Sequence, residues 1–299
     1  MIRFIILILF SSIVMSIVAW AEPVTLPWAT SFENCDETGY QDDGWASGTE
    51  KTVWNNVNVG RDGPVCSSNG YQKVSNSANF EGGAGGCGWR RWVCGADSTP
   101  APSTGSIIIN FRNEEAEIWV RWYERWQKGF EWNSKKGLFF QKLVYIRPFG
   151  SGIVMDLQGP DRMTMSAQSG RGIGRGTTFF ANCYSCGWNA MNPTGALQRN
   201  GVRLGDGSWH SIEFHFKNQS GPGKYDGEWD LWIDGELKSQ LRKINWFSKY
   251  NNGIKSLQFM INQMTPSNQV PMYNDIDDIA ISNMGHIGQY IRQFEPSSK

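Results

Sequence analysis

Apolar and polar residues alternate along much of this chain. In Trp209 to Lys217, Ile212, Phe214 and Phe216 fall on one side, and Ser211, Glu213, His215 and Lys217 on the other. Glu228 to Gly235 and Tyr273 to Ser282 repeat the pattern. A period of two is the signature of a strand with one face on a core and one face available to something else. The same reading places strands near 30–34, 52–59, 71–76, 106–111, 117–126, 137–146, 153–158, 162–168, 210–217, 228–234, 255–264 and 276–282. Gly, Asn and Asp cluster between them as turns require. Helical periodicity is nearly absent, so the fold class is all-β, an antiparallel β-sandwich rather than alternating βα units. Two stretches, Asn79 to Ser103 and Gly170 to Gly207, read as long loops, each holding a Cys pair and many glycines.

The first 21 residues break the pattern. Arg3 precedes a nearly unbroken apolar run from Phe4 to Val18, and Ala19-Trp20-Ala21 has the small-x-small form of a cleavage site. This predicts a signal peptide over 1–21, a secreted or periplasmic protein and no membrane attachment after cleavage. The rest, 22–299, is read as a single domain and as a monomer. Lys and Arg together number 28, as do Asp and Glu, so charge is near balance and a nucleic-acid partner is not expected. A few arginines in a groove would still suffice for an acidic glycan. The six cysteines predict disulfides in an exported chain. Short loops favour Cys87–Cys94 and Cys183–Cys186, leaving Cys35 with Cys66.

A resemblance rests on particular residues. Gly207-Ser-Trp209, Ile212-Glu-Phe214, Asp226-Gly227, Asp230-Leu-Trp232-Ile-Asp234-Gly235 and Ile276-Asp-Asp278-Ile279 follow in order. So do Ser31-Phe32-Glu33 with Trp45, and Glu117-Ile-Trp-Val-Arg121-Trp-Tyr123 with Gly129-Phe130. The series resembles the concanavalin A-like lectin/glucanase jelly roll, and within it secreted polysaccharide lyases. That implies a polysaccharide partner and a groove built on strand faces. In the resembling jelly rolls the first and last strands often meet and hold a structural calcium, here implying Glu33 and Asp278 as ligands. An unoccupied acidic edge, or pairing of these acids with Lys and Arg, is the alternative.

Cleavage of an acidic, uronate-containing glycan by β-elimination needs three groups. One neutralises the carboxylate, one takes the proton from the adjacent carbon, and one protonates the leaving oxygen. Arg121 or Gln141 suits the first role, and His215 or Tyr145 the others. Tyr123, Arg125, Gln258 and Asn262 would complete a polar groove, with Trp188 and Trp246 as stacking platforms for sugar rings. Trp89 and Trp92 also read as loop-borne platforms, whereas Trp119, Trp122, Trp209 and Trp229 read as core. The three histidines lack metal-ligand spacing. The expectation is therefore a polysaccharide lyase. Its rivals are a non-catalytic, lectin-like carbohydrate-binding module using the same groove, and a glycoside hydrolase built on Glu228 and Asp230.

Overall fold

The computed structural model describes residues 23–30, 41–43, 50–52, 71–75, 87–93, 106–134, 137–138, 140–148, 152–158, 163–168, 204–244, 246, 253–260 and 272–289. The expected signal peptide, Glu33, Trp188, Asn262 and every cysteine but Cys87 lie outside them. In chain order the strands are β1 (Trp28–Thr30), β2 (Gln41–Asp43), β3 (Glu50–Thr52), β4 (Tyr71–Ser75), β5 (Cys87–Val93), β6 (Ser106–Glu115), β7 (Glu117–Trp126), β8 (Asn133–Ser134) and β9 (Gly137–Leu138). They continue with β10 (Phe140–Pro148), β11 (Gly152–Gln158), β12 (Met163–Gln168), β13 (Trp209–Lys217), β14 (Gly227–Ile233), β15 (Glu236–Ile244), β16 (Ile254–Met260) and β17 (Met272–Ser282). No helix occurs among the described residues, and none of them forms a helix long and apolar enough to cross a membrane.

Two antiparallel sheets pack face to face. Sheet I runs β15-β14-β13-β7-β17-β5-β4, with β1 also paired to β17. Sheet II runs β12-β11-β10-β16-β6-β2-β3. The alternation read from sequence explains the core between them. Ile118, Val120, Trp122 and Trp126 of β7 join Ile212, Phe214 and Phe216 of β13 from sheet I. Val144 and Ile146 of β10, Met155 and Leu157 of β11, and Leu257 and Phe259 of β16 meet them from sheet II. Trp122 meets Phe259 edge-on across the gap, with ring centroids 5.6 Å apart. One carboxylate shares this interior. Glu124 is fully buried, and accepts hydrogen bonds from Trp122 Nε1–H at 2.9 Å and from the Asn274 amide, which compensates part of the cost of removing it from water.

The alternation survives in β7, β13 and β14 but is broken elsewhere by bulges. Between Lys142 and Val144 the β10–β11 register shifts by one residue. Gln141 therefore pairs with core-facing Leu157, while Tyr145 pairs with Val154 on the other register face. The sequence expectation that Gln141 and Tyr145 share a face fails for that reason, because one extra residue inverts a period of two. A second bulge between Asp277 and Ala280 contains Asp278, whose φ of 48° lies in the left-handed region.

Four strands were not foreseen, the short β2 and β8 and the longer β5 and β15. β5 lies inside the stretch read as a loop, so the backbones of Trp89 and Trp92 belong to sheet I, between β17 and β4. β15, ELKSQLRKI, lacks an apolar alternation because it is the edge strand of sheet I, where charged side chains protect an open edge. It follows β14 through Asp234 and Gly235, whose φ values of 53° and 77° make a two-residue type I′ hairpin turn.

Candidate functional site

The side of sheet I turned away from the core is organised in cross-strand rows. Paired residues of neighbouring strands share a face, and the register sets Trp232, Glu213, Arg121, Ala280 and Ala29 side by side. The next row holds Asp230, His215, Trp119 and Ser282. Sequence reading assigned this face to sugar. It is instead filled by its own contacts, and β13 is buried on both sides.

His215, expected as the catalytic base, is 4% exposed. Its Nδ1 lies 2.8 Å from Asp230 Oδ2 and its Nε2 2.7 Å from Glu117 Oε1. Trp119, expected in the core, stacks on the imidazole at 4.5 Å. Both ring nitrogens are thus engaged by carboxylates, leaving none to take a proton from a substrate. Asp230 also accepts from Arg242 Nη1 at 2.6 Å and Nη2 at 3.0 Å. Burial alone would raise the Asp230 pKa, but His215 and Arg242 outweigh it and hold the carboxyl below its ordinary value. Glu228 pairs with Lys217 at 2.8 Å and with Arg242 at 3.1 Å. The two acids of the hydrolase alternative are therefore both held by cations. Asp234 occupies the hairpin turn.

Arg121 is 7% exposed, and its guanidinium donates to two backbone carbonyls, Gly288 O at 3.3 Å and Asp278 O at 3.4 Å. Glu213 beside it accepts from the amides of Ile287 at 2.8 Å and Gly288 at 2.9 Å. These two side chains clasp residues 283–289, which leave β17 and cross the outer face of sheet I. His286 rests on Trp232 at 4.6 Å on the way. Tyr123 is buried with the Arg121 guanidinium 5.4 Å from its ring centre. Arg125 binds Asp275 at 2.6 Å and lies 4.7 Å over Trp209. Arg90 binds the same carboxylate at 2.8 Å, so this acid of the last strand is paired with arginines. Trp246, expected as a stacking platform, is fully buried. Its Nε1–H donates to Lys217 O at 2.7 Å, and its ring lies against Gly227, where any side chain would collide with it.

The corresponding side of sheet II is arranged differently. Tyr145 and Gln258 are register partners across β10 and β16, opposite in face to the core residues Val144 and Phe259. Both are buried. Arg147, two residues beyond Tyr145 on the same face and paired with Ser256, places its guanidinium 5.7 Å from the Tyr145 ring centre. Sequence reading missed Arg147. Its i, i+2 spacing from Tyr145 was the available signal. For Gln141 only the backbone of β10 is described.

The structure therefore separates the expected set. Tyr145 and Gln258 stand on one sheet, and Arg121, Tyr123, Arg125 and His215 on the other, pointing away from each other across a sandwich. Stacked sheets lie about 10 Å apart, so Tyr145 and His215 cannot act on one bond. Of the implied calcium ligands, Asp278 sits in the β17 bulge and donates its backbone N–H to Asp277 Oδ1 at 2.8 Å. Among the described residues, no three metal-binding side chains gather.

No protein-family model matches the chain, and no curated protein sequence matches it either. Solved structures do. An endo-β-1,4-glucuronan lyase from the fungus Trichoderma reesei superposes with a TM-score of 0.50 at 10% identity, covering 82% of this chain and 95% of that one. An alginate lyase from a Chlorella virus gives 0.47 at 13% identity, over 72% and 91% of the two chains. A cellulose-induced protein gives 0.47 at 14% identity, over 74% and 89%. At such identities the likeness speaks to the fold. The chain shares its antiparallel β-sandwich fold with the glucuronan lyase.

Proposed function

We propose that the protein is a secreted polysaccharide lyase that cleaves an acidic, uronate-containing glycan by β-elimination on the outer face of sheet II. The observation that carries this reading is the Tyr145–Gln258 pair, with Arg147 beside the Tyr145 ring. Arg147, half-buried on this face, supplies positive charge for the uronate carboxylate of an anionic chain, and Gln258, buried in register with Tyr145, belongs to the same face. Stabilising the carboxylate as it takes on enolate character acidifies the C5–H bond. Tyr145 is the group placed to move the proton. Loss of the C5 proton leaves an electron pair that forms the C4–C5 double bond as the C4–O bond breaks, and the departing oxygen is protonated. His215 has no part in this scheme, being held by Asp230 and Glu117 on the other sheet.

The test follows ultraviolet absorbance of unsaturated uronate ends during incubation with a panel of uronate polysaccharides. A rise with one polymer, lost in Tyr145→Phe, is the expected result. A flat trace with every polymer, accompanied by retention on one of them, would instead support the carbohydrate-binding module.

A further inference from the structure

A second arginine shares the outer face of sheet II with Arg147. Arg147 of β10 pairs in register with Ser256 of β16, which pairs with Asn110 of β6. Arg112, which is exposed, lies two residues beyond Asn110 on β6. Ile109 and Phe111 belong to the core, so Asn110 and Arg112 take the opposite side. The β6–β16 register shifts past Asn110, but a second contact keeps the alternation regular there. Val24 N–H donates to Asn110 O at 2.8 Å, and Arg112 N–H donates to Val24 O at 2.9 Å. Val24 thus forms a parallel bridge opposite Phe111, which holds Asn110 and Arg112 on one face.

These two cations differ from those of sheet I. There Arg90, Arg125 and Arg242 each hold a carboxylate, and Arg121 holds backbone carbonyls. Among the described residues no carboxylate pairs with Arg147 or with Arg112. A guanidinium matches the planar fork of a carboxylate, so both are suited to an acidic ligand. Between them stand a hydroxyl and an amide, Ser256 and Asn110, which carry no charge. Two strand spacings across the sheet and two residues along it put the Cα atoms of Arg147 and Arg112 roughly 12 Å apart. Side chains stand nearly perpendicular to a sheet, so the separation persists above it. It is about the length of a disaccharide. Tyr145 lies on the other side of Arg147 from Arg112 along the strand direction, so the three positions follow one diagonal.

We infer that Arg112 is a second carboxylate-binding position of the sheet II site. The glycan runs diagonally over β10, β16 and β6, with acid groups one disaccharide apart on Arg147 and Arg112. The sugar between them meets Ser256 and Asn110, which offer hydrogen bonds without charge. The site thereby selects a glycan whose carboxylates recur at disaccharide spacing over one with isolated acid groups. That the acid is a uronate rests on the proposed function, whereas the spacing rests on the register of the two arginines.

The probes are methyl β-D-glucuronide, with one carboxylate, and β-1,4-linked triglucuronate, whose end sugars are one disaccharide step apart. Binding is measured calorimetrically on the Tyr145→Phe chain, so that the trimer is not consumed, and at low ionic strength, where exposed pairs are screened least. The trimer should bind at least about fivefold more tightly than the glucuronide. Arg112→Ala should weaken the trimer about threefold to fivefold, the range of an exposed ion pair, and leave the glucuronide within about twofold. Lys224→Ala removes an exposed cation from the β13–β14 loop of sheet I and should change neither. Equal affinity for the two probes, a trimer that ignores Arg112→Ala, or an equal loss in Lys224→Ala would overturn the second position. Unsaturated-uronate absorbance tests the lyase separately. A flat trace with Arg112-dependent trimer binding would remove the lyase and leave this position standing, and cleavage with Arg112-independent binding would do the reverse.

Discussion

The outer faces of the two sheets look alike in sequence and differ in what their polar groups do. On sheet I, His215, Asp230, Glu117, Glu228, Lys217 and Arg242 satisfy one another in a continuous network. Arg121 and Glu213 hold the segment that crosses above them. On sheet II, Tyr145 is in register with Gln258 and adjoins the Arg147 guanidinium, so a phenol, an amide and a cation share one face. The lesson is that residue type and strand face do not by themselves make a site, because the partners each side chain already holds decide its chemistry. His215, whose residue type suits catalysis, is bound on both ring nitrogens into the carboxylate network of sheet I.

The largest expected effect contrasts the two faces directly. Tyr145→Phe should lower the rate of unsaturated-uronate formation by about 10²–10⁴-fold while substrate retention persists, the range for losing a proton-transfer group. His215→Gln should leave that rate within about threefold, far short of such a loss. The reverse ranking, measured by absorbance, would return catalysis to sheet I.

Next comes stability. Asp230→Ala leaves His215 facing one carboxylate fewer and removes one of the two carboxylates paired with half-exposed Arg242. Removing one partner of a buried ionic network costs about 3–5 kcal/mol, and the exposure of Arg242 argues for the low end, about 3 kcal/mol. Urea unfolding would show it as a lower midpoint with turnover per folded molecule retained. Gly227→Ala drives a methyl group into the Trp246 ring and should cost about 1–3 kcal/mol by overpacking. An undiminished midpoint there would mean that Trp246 does not anchor β13 to β14.

The smallest effect is a pH dependence. Burial lowers the His210 pKa, but hydrogen bonds and charge from Asp234, and then from Asp206, outweigh it and raise the value overall. A raised histidine contributes stability that is complete below its unfolded pKa of about 6.5, and that fades as pH rises through the folded value. The melting temperature of the wild type should therefore fall slightly more steeply above about pH 6.5 than that of His210→Gln. Parallel curves would show that the contacts linking the 204–208 loop to the β14–β15 turn carry no protonation energy.

Much of the local structure was legible in the chain. Alternation in Trp209–Lys217 and Glu117–Trp126 predicted which side of each strand meets the core, and Asp234-Gly235 announced its turn. Those features depend on residues within one or two positions of each other, where the steric preferences of the backbone act directly. β15 escaped because an edge strand is written in charge rather than in apolar period, and Arg147 because its i, i+2 spacing from Tyr145 gives its face but not what that face meets. Tertiary structure alone decided which strands share a sheet. It set His215 beside Asp230 and Glu117, and it placed Tyr145 on the far side of the core. It also settled parity at the two bulges, where a single extra residue carries Gln141 to the register face opposite Tyr145. Pairing partners more than a hundred residues apart are selected by the joint packing of two sheets. No pattern confined to one strand can encode that choice.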